Sequence, residues 1–279
     1  MSNQTVASFK REFLAFFRTN TFIIVACVII GLALFSPSLI VGMGLLMDAL
    51  SDVYDEMGMD VSDMTDILTE SSIMGVASSV EGIAGAGAIV LILLLNKTAG
   101  GEQKKRAMIV PKSAGLRSFP YIFPKFIIYP LTAFFLAVLA ILISLPISIL
   151  LFDTNDVTFS STLLAGVIAG VSLMFYVCCH LALGTATGRA GMSAAVCITV
   201  SIILPVIFSA LGSDYMFNPF TLGNQAAVVI YSEVVPNQEL LDIVFSIIFA
   251  LGIMVITYFV ALFAQNARKI DNSGSELEL

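Results

Sequence analysis

Charge is what this sequence has least of. Only 12% of its 279 residues are Asp, Glu, Lys or Arg, against about a quarter in a soluble domain. An ordinary water-soluble globular protein is therefore excluded. Histidine occurs once, at His180, so a His-based metalloprotease site is excluded and no metal site is expected. The four cysteines, Cys27, Cys178, Cys179 and Cys197, all lie in apolar runs with neither a disulfide framework nor metal-ligand spacing, and they read as small core residues. Cys178 and Cys179 are adjacent and fall on different helix faces, which disfavours shared ligation. A phosphate-binding loop is missing as well: GTATGRAG at 184–191 lacks the lysine and the preceding strand. No HExxH, GxSxG or paired-Asp phosphoryl-transfer motif occurs. The chain is expected not to be an enzyme and not to convert energy by itself.

What fills the space is apolar. Hydrophobic residues make up 58% of the chain, and the mean hydropathy is +0.98. Several runs exceed the roughly 18 apolar residues that mark a membrane span. A bilayer offers no water to unpaired backbone groups, and the alternation of a barrel is absent, so the spans must be helices. The expected fold class is an all-α polytopic membrane protein, built as one permease-sized domain over residues 1–270. Six spans are read at 21–47, 72–95, 123–151, 160–187, 192–211 and 240–265. The first run is too long, and lacks the small-x-small site after it, for a cleavable signal peptide. Pro37, Pro130, Pro146 and Pro205 are expected at kinks or span ends.

Before the first span, residues 4–18 are amphipathic. Val6, Phe9, Phe13, Phe16 and Phe17 recur on one side and Arg11 and Arg18 on the other, the pattern of a helix lying in the interface.

Charge sign sets the orientation. With the N-terminus inside, all 13 basic residues fall at the inner face, among them Lys10, Arg11, Arg18, Lys125, Arg189, Arg268 and Lys269. The outer segments carry fourteen acids and no base. Lys and Arg in short loops mark the cytoplasmic side, so both termini are expected in the cytoplasm and the protein in the cell (plasma or inner) membrane. The same basic face suits anionic lipid headgroups.

Three connecting segments stand out. Residues 96–119 form a polar bridge after the second span, holding Lys97, Lys104, Lys105, Arg106, Lys112 and Arg117 with Glu102 as its one acid. Residues 48–70 form an acidic outer loop, either a gate or patch for a cationic substrate or a plain solvated linker. Residues 213–239 contain an apolar run, 226–231, too short to cross but long enough to dip into the outer leaflet and return, or to lie as an interfacial helix. An acidic tail, 271–279, closes the chain.

Two ionisable residues sit inside spans: Glu81 among glycines in the second and His180 in the fourth. An ionisable group at that depth is expensive and is a functional candidate by default. For each the plainer alternative is an interhelical hydrogen bond, with Glu81 protonated or near the outer end and His180 neutral.

An in-facing amphipathic start, six spans, a Glu-then-basic bridge after the second and a re-entrant-like stretch before the sixth together resemble the type 2 exporter permeases of ATP-binding-cassette (ABC) transporters. The residues carrying the resemblance are Gly101-Glu102-Gln103-Lys104-Lys105-Arg106, Val110-Pro111-Lys112, Leu116-Arg117, Pro124-Lys125 and Asn218-Pro219-Phe220. The resemblance implies a permease half that pairs with a second permease, identical or related, and docks two ATPase subunits, which bind the ATP and Mg that this chain does not. No nucleic-acid partner is expected. It also makes residues 4–18 the connecting helix and part of 96–119 the coupling helix, with Glu102, Lys104, Lys105, Arg106 and Met108 as its contacts. Physically, Glu102 suits a helix N-terminus with Arg106 four residues on, and residues 107–110 offer an apolar ridge that Pro111 ends. A proton-coupled secondary transporter using Glu81 and His180, and a membrane scaffold or sensor with an acidic ligand-binding loop, are the alternatives.

Overall fold

The computed structural model describes residues 3–50, 71–102, 115, 117–154, 156–210, 218–232 and 237–267. Most of the acidic outer loop, the bridge from 103 to 114 and the acidic tail lie outside them.

Every element among the described residues is helical. In chain order these are α1 (Asn3–Arg18), α2 (Asn20–Ala49), α3 (Ser72–Gly82), a π-helical turn (Ile83–Gly87), α4 (Ala88–Leu94) and a second π-helical turn (Lys97–Gly101). Then come α5 (Ser118–Phe152), α6 (Phe159–Thr187), α7 (Ala190–Ala210), α8 (Leu222–Tyr231) and α9 (Asn237–Ala267). Six helical runs are long and apolar enough to cross a membrane: α2, the composite Ser72–Leu94, α5, α6, α7 and α9. This fits a multi-pass membrane protein.

The spans match the apolar runs within a few residues, except that α5 begins at Ser118 instead of 123. Its 35 residues make a helix about 50 Å long, well beyond the ~30 Å hydrocarbon layer. The added turns are polar and aromatic, and Pro120 sits in the first turn, where a missing N–H costs nothing.

Pro37, Pro130, Pro146 and Pro205 do not end the helices that contain them. Pro37 lies inside α2, Pro124, Pro130 and Pro146 inside α5, and Pro205 inside α7. Pro37 shows how this is tolerated. It has no N–H for the Ala33 carbonyl, and that carbonyl instead accepts a hydrogen bond from Ser79 Oγ of α3 at 3.2 Å. A neighbouring helix thus satisfies the freed group, as an apolar environment demands.

Helix α6 is the most buried span and α7 the least. Gly166 and Gly170, four residues apart on α6, bring it against α5. A Cβ at Gly170 would stand 2.7 Å from a Phe134 ring carbon, and one at Gly166 would meet the Val138 backbone at 3.4 Å. Small residues at this spacing let helices approach without a hydrophobic driving force. The ten-residue α8 is too short to cross; it buries Leu222, Gln225, Ala226 and Val229 and packs Gly223 on Ala84 of the π-helical turn. The outer faces of α2, α7 and α9 expose large apolar side chains such as Phe35, Val206 and Phe263, a surface suited to lipid. Cys178 and Cys197 are buried as expected, whereas Cys27 is exposed on α2 and is not a core residue.

Candidate functional site

Helix α1 turns an unexpected side inward. Thr5, Ser8, Glu12 and Phe16 are buried, while Val6, Phe13 and Phe17 are exposed. Phe16 thus leaves the outward phenylalanine stripe, and its ring meets Tyr129 of α5 edge-on at 4.9 Å. The buried positions recur every three or four residues, so they form one helical stripe. That stripe carries a carboxylate into the protein.

Glu12 is met there by cations and phenols. Its Oε1 pairs with Arg11 Nη2 at 2.7 Å, its Oε2 lies 3.7 Å from Lys125 Nζ, and Tyr129 Oη donates to Oε2 at 3.3 Å. Lys125, from the second turn of α5, has a second and closer acid. Its ammonium donates to Glu102 Oε2 at 2.7 Å, and Tyr121 Oη donates to the same oxygen at 2.6 Å. The ammonium also stands 4.6 Å from the centre of the Tyr121 ring, a cation–π distance. Lys125 and Glu12 are almost wholly buried, Glu102 is about two-thirds buried and Arg11 is half exposed.

Two carboxylates and two cations balance in charge, which is what allows them to be buried together. Burial alone would raise the Glu102 carboxyl, but the charge and hydrogen bond of Lys125, with Tyr121 and Arg11, outweigh it and hold the group below its ordinary value of 4.5. Burial opposes the charge on Arg11, and Glu12 beside it more than compensates, holding the guanidinium above its ordinary range.

The cluster joins three parts of the chain: α1, the start of α5 and the first residue of the bridge beyond the π-helical turn. On its other side the same turn is fixed by shape. A Cβ on Gly100 would lie 2.6 Å from the Ala190 nitrogen, so backbone meets backbone where α6 turns into α7. That turn uses Gly188 at φ +68°, in the left-handed region open to glycine. The root of the bridge is therefore held by charge against α1 and α5, and by close packing against α6 and α7.

Of the residues singled out for coupling, Glu102 belongs to this cluster. Its carboxylate is taken up by Lys125 and Tyr121; the short helix it was expected to open and the pairing with Arg106 fall outside the described residues. Lys104, Lys105, Arg106 and Met108 also lie outside them. Glu12, Tyr121 and Tyr129 were not marked by any motif. The signal that finds Glu12 is an acid on the same helical stripe as Thr5, Ser8 and Phe16.

The two intramembrane candidates are not brought together. Glu81 is exposed on α3 and makes no hydrogen bond or ion pair with a described residue. His180 is fully buried in α6; its ring lies beside the backbone of Leu95 and Ser193, and neither nitrogen reaches hydrogen-bond geometry. Along the helix axes Glu81 stands thirteen residues, about 20 Å, from the Leu94 end of its span, and His180 seven residues, about 10 Å, from Thr187 at the same end of the bundle.

Comparison with known protein families finds none that matches, and comparison with curated proteins finds no match. The class the fold defines is an all-helical protein with six helices among the described residues long and apolar enough to span a membrane, and a charged joint where α1, the second π-helical turn and the start of α5 meet.

Proposed function

We propose that this chain is the membrane subunit of an ATP-driven exporter, with the bridge at 96–119 as the docking element for a cytoplasmic ATPase. The observation that carries the reading is the Glu12–Lys125–Glu102 cluster. A motor subunit pushing on a cytoplasmic loop moves a transport path only if the loop is rigidly tied to the helices lining it. Here Glu102, the first residue of the bridge beyond the π-helical turn, is ion-paired to one span and, through Lys125, linked to the interfacial helix. Gly100 ties the same segment to the α6–α7 turn. In this reading both termini and the bridge are cytoplasmic, the protein lies in the cell membrane, and two permease halves dock two ATPase subunits carrying ATP and Mg. Closure of the ATPases then shifts the bridge and reshapes a path between the halves by alternating access, moving a peptide, lipid-like molecule, drug or other small cargo.

The test is affinity purification from the native membrane. The reading expects an ABC-type ATPase to copurify, and expects charge reversal at Lys104, Lys105 and Arg106 to uncouple ATP hydrolysis from transport while insertion stays normal. Transport driven by a proton gradient with no ATPase present would favour a secondary transporter instead.

A further inference from the structure

The second span is broken where it carries its charge. Glu81 is followed, after Gly82, by the π-helical turn Ile83–Gly87, and such turns are frequent at functional sites. Three sides of this stretch are covered. Gly82 and Gly87 meet Ser36 and Ile29 of α2, Gly75 meets Ser148 and Phe152 of α5, and Ala84 meets Gly223 of α8. The fourth side is open: Glu81, Gly85 and Ala86 are exposed, and a Cβ added at Gly85 would meet nothing within 4 Å. At the rim, Tyr231 ends α8, half-exposed and near enough to Glu81 that burial and the carboxylate together raise its phenol.

Glu81 lies nine residues, about 14 Å, from the Ser72 end of the span, close to mid-bilayer. An ionised carboxylate at that depth needs a counter-charge, and no described residue hydrogen-bonds or ion-pairs with Glu81. No Lys or Arg occurs between Thr19 and Asn96, between Phe126 and Gly188, or between Ala190 and Ala267. A second copy of the chain is equally without one. For an ionised Glu81 the counter-charge comes from another molecule, one able to enter an apolar layer. Every segment expected outside the membrane is acidic and free of bases, so the approach on that side favours cations too.

We propose that the open face around Glu81 and Gly85 binds a lipophilic organic cation, its charge against Glu81 and its apolar body over Gly85 and Ala86, with Tyr231 at the rim. This deepens the exporter reading by giving its cargo a chemical class; binding itself needs no ATPase and is tested without one.

The experiment is equilibrium dialysis of tetraphenylphosphonium against the purified full-length chain in nanodiscs, with empty nanodiscs as background and tetraphenylborate as the anion of the same shape. Saturable binding of the cation and none of the anion is expected. Glu81→Gln should weaken cation binding at least about tenfold, and Glu81→Asp, which keeps the charge, should stay within about threefold. Gly85→Leu fills space where an added Cβ meets nothing within 4 Å and leaves the charge in place, and it should also abolish binding; it serves as the second variant if Glu81→Gln does not assemble. Equal retention of cation and anion, or cation binding unchanged in Glu81→Gln and Gly85→Leu, overturns the proposal. So does loss of a dimer in Glu81→Gln with no cation bound by the native chain, which would make the face an interface between copies. Saturable cation binding without a copurifying ATPase would leave this site standing and remove the exporter reading.

Discussion

Lys125 is the residue on which the site turns. It stands between two carboxylates, and without it Glu12 and Glu102 face each other in a largely buried space. Removing one partner of a buried pair typically costs about 3–5 kcal/mol, because the remaining charge is stranded. Lys125→Met should therefore lower the thermal stability of the solubilised protein sharply, while Lys125→Arg, which keeps the charge, should retain most of it. A thermal melt of the two variants against the native chain decides this; equal melting of all three would show that the ions are idle.

The acid response follows from Glu102. Its folded-state pKa is depressed, so its contribution is fully present above the ordinary value of 4.5 and is lost as the pH falls through the lowered folded value. Stability measured from pH 8 to 5 should show no drop that Glu102→Gln removes, and such a drop should appear only in more acid solution. Glu102 and Lys125 were legible in the sequence as motif positions. Glu12 was not, because an acid on an amphipathic helix with a phenylalanine face reads as solvated until the packing shows which stripe turns inward.

At the scale of elements, helix existence followed from apolar run length, since a bilayer leaves the backbone no other option. The details that run length does not encode come from neighbours. The second span contains a π-helical turn, and Pro37 continues its helix because Ser79 satisfies Ala33. Both are tertiary effects invisible to a window of hydropathy. The glycines allow two direct tests. Gly170→Leu forces a side chain into the Phe134 ring, and overpacking of this kind costs about 1–3 kcal/mol or more; it should reduce the folded yield, whereas Gly252→Leu on α9, where a Cβ meets nothing within 4 Å, should not. Gly100→Val should loosen the bridge from the α6–α7 turn, and faster proteolysis within 96–119 would report it. Unchanged cleavage would show that the Gly100 contact does not hold the bridge.

For the whole molecule, the sequence leads one to expect all 13 basic residues on the inner side of six spans. Among the described residues the structure has the same number of membrane-length helices, and the Gly100–Ala190 contact and the Glu102–Lys125 pair tie the bridge to the α6–α7 turn and to the start of α5. Orientation is then a matter of topology mapping. A reporter enzyme active only in the cytoplasm should be active when fused after residue 279 and inactive when inserted near residue 60; the reverse pattern would invert the proposed docking side. The central claim is that a push on the bridge reaches the spans through Glu102 and Lys125. The most direct measurement is a double-mutant cycle on cargo-stimulated ATP hydrolysis in the copurified complex, using Glu102→Gln, Lys125→Met and the pair. The two changes should interact by at least about 1 kcal/mol, the double variant losing far less than the sum of the singles. Strictly additive losses, or none, would contradict that claim.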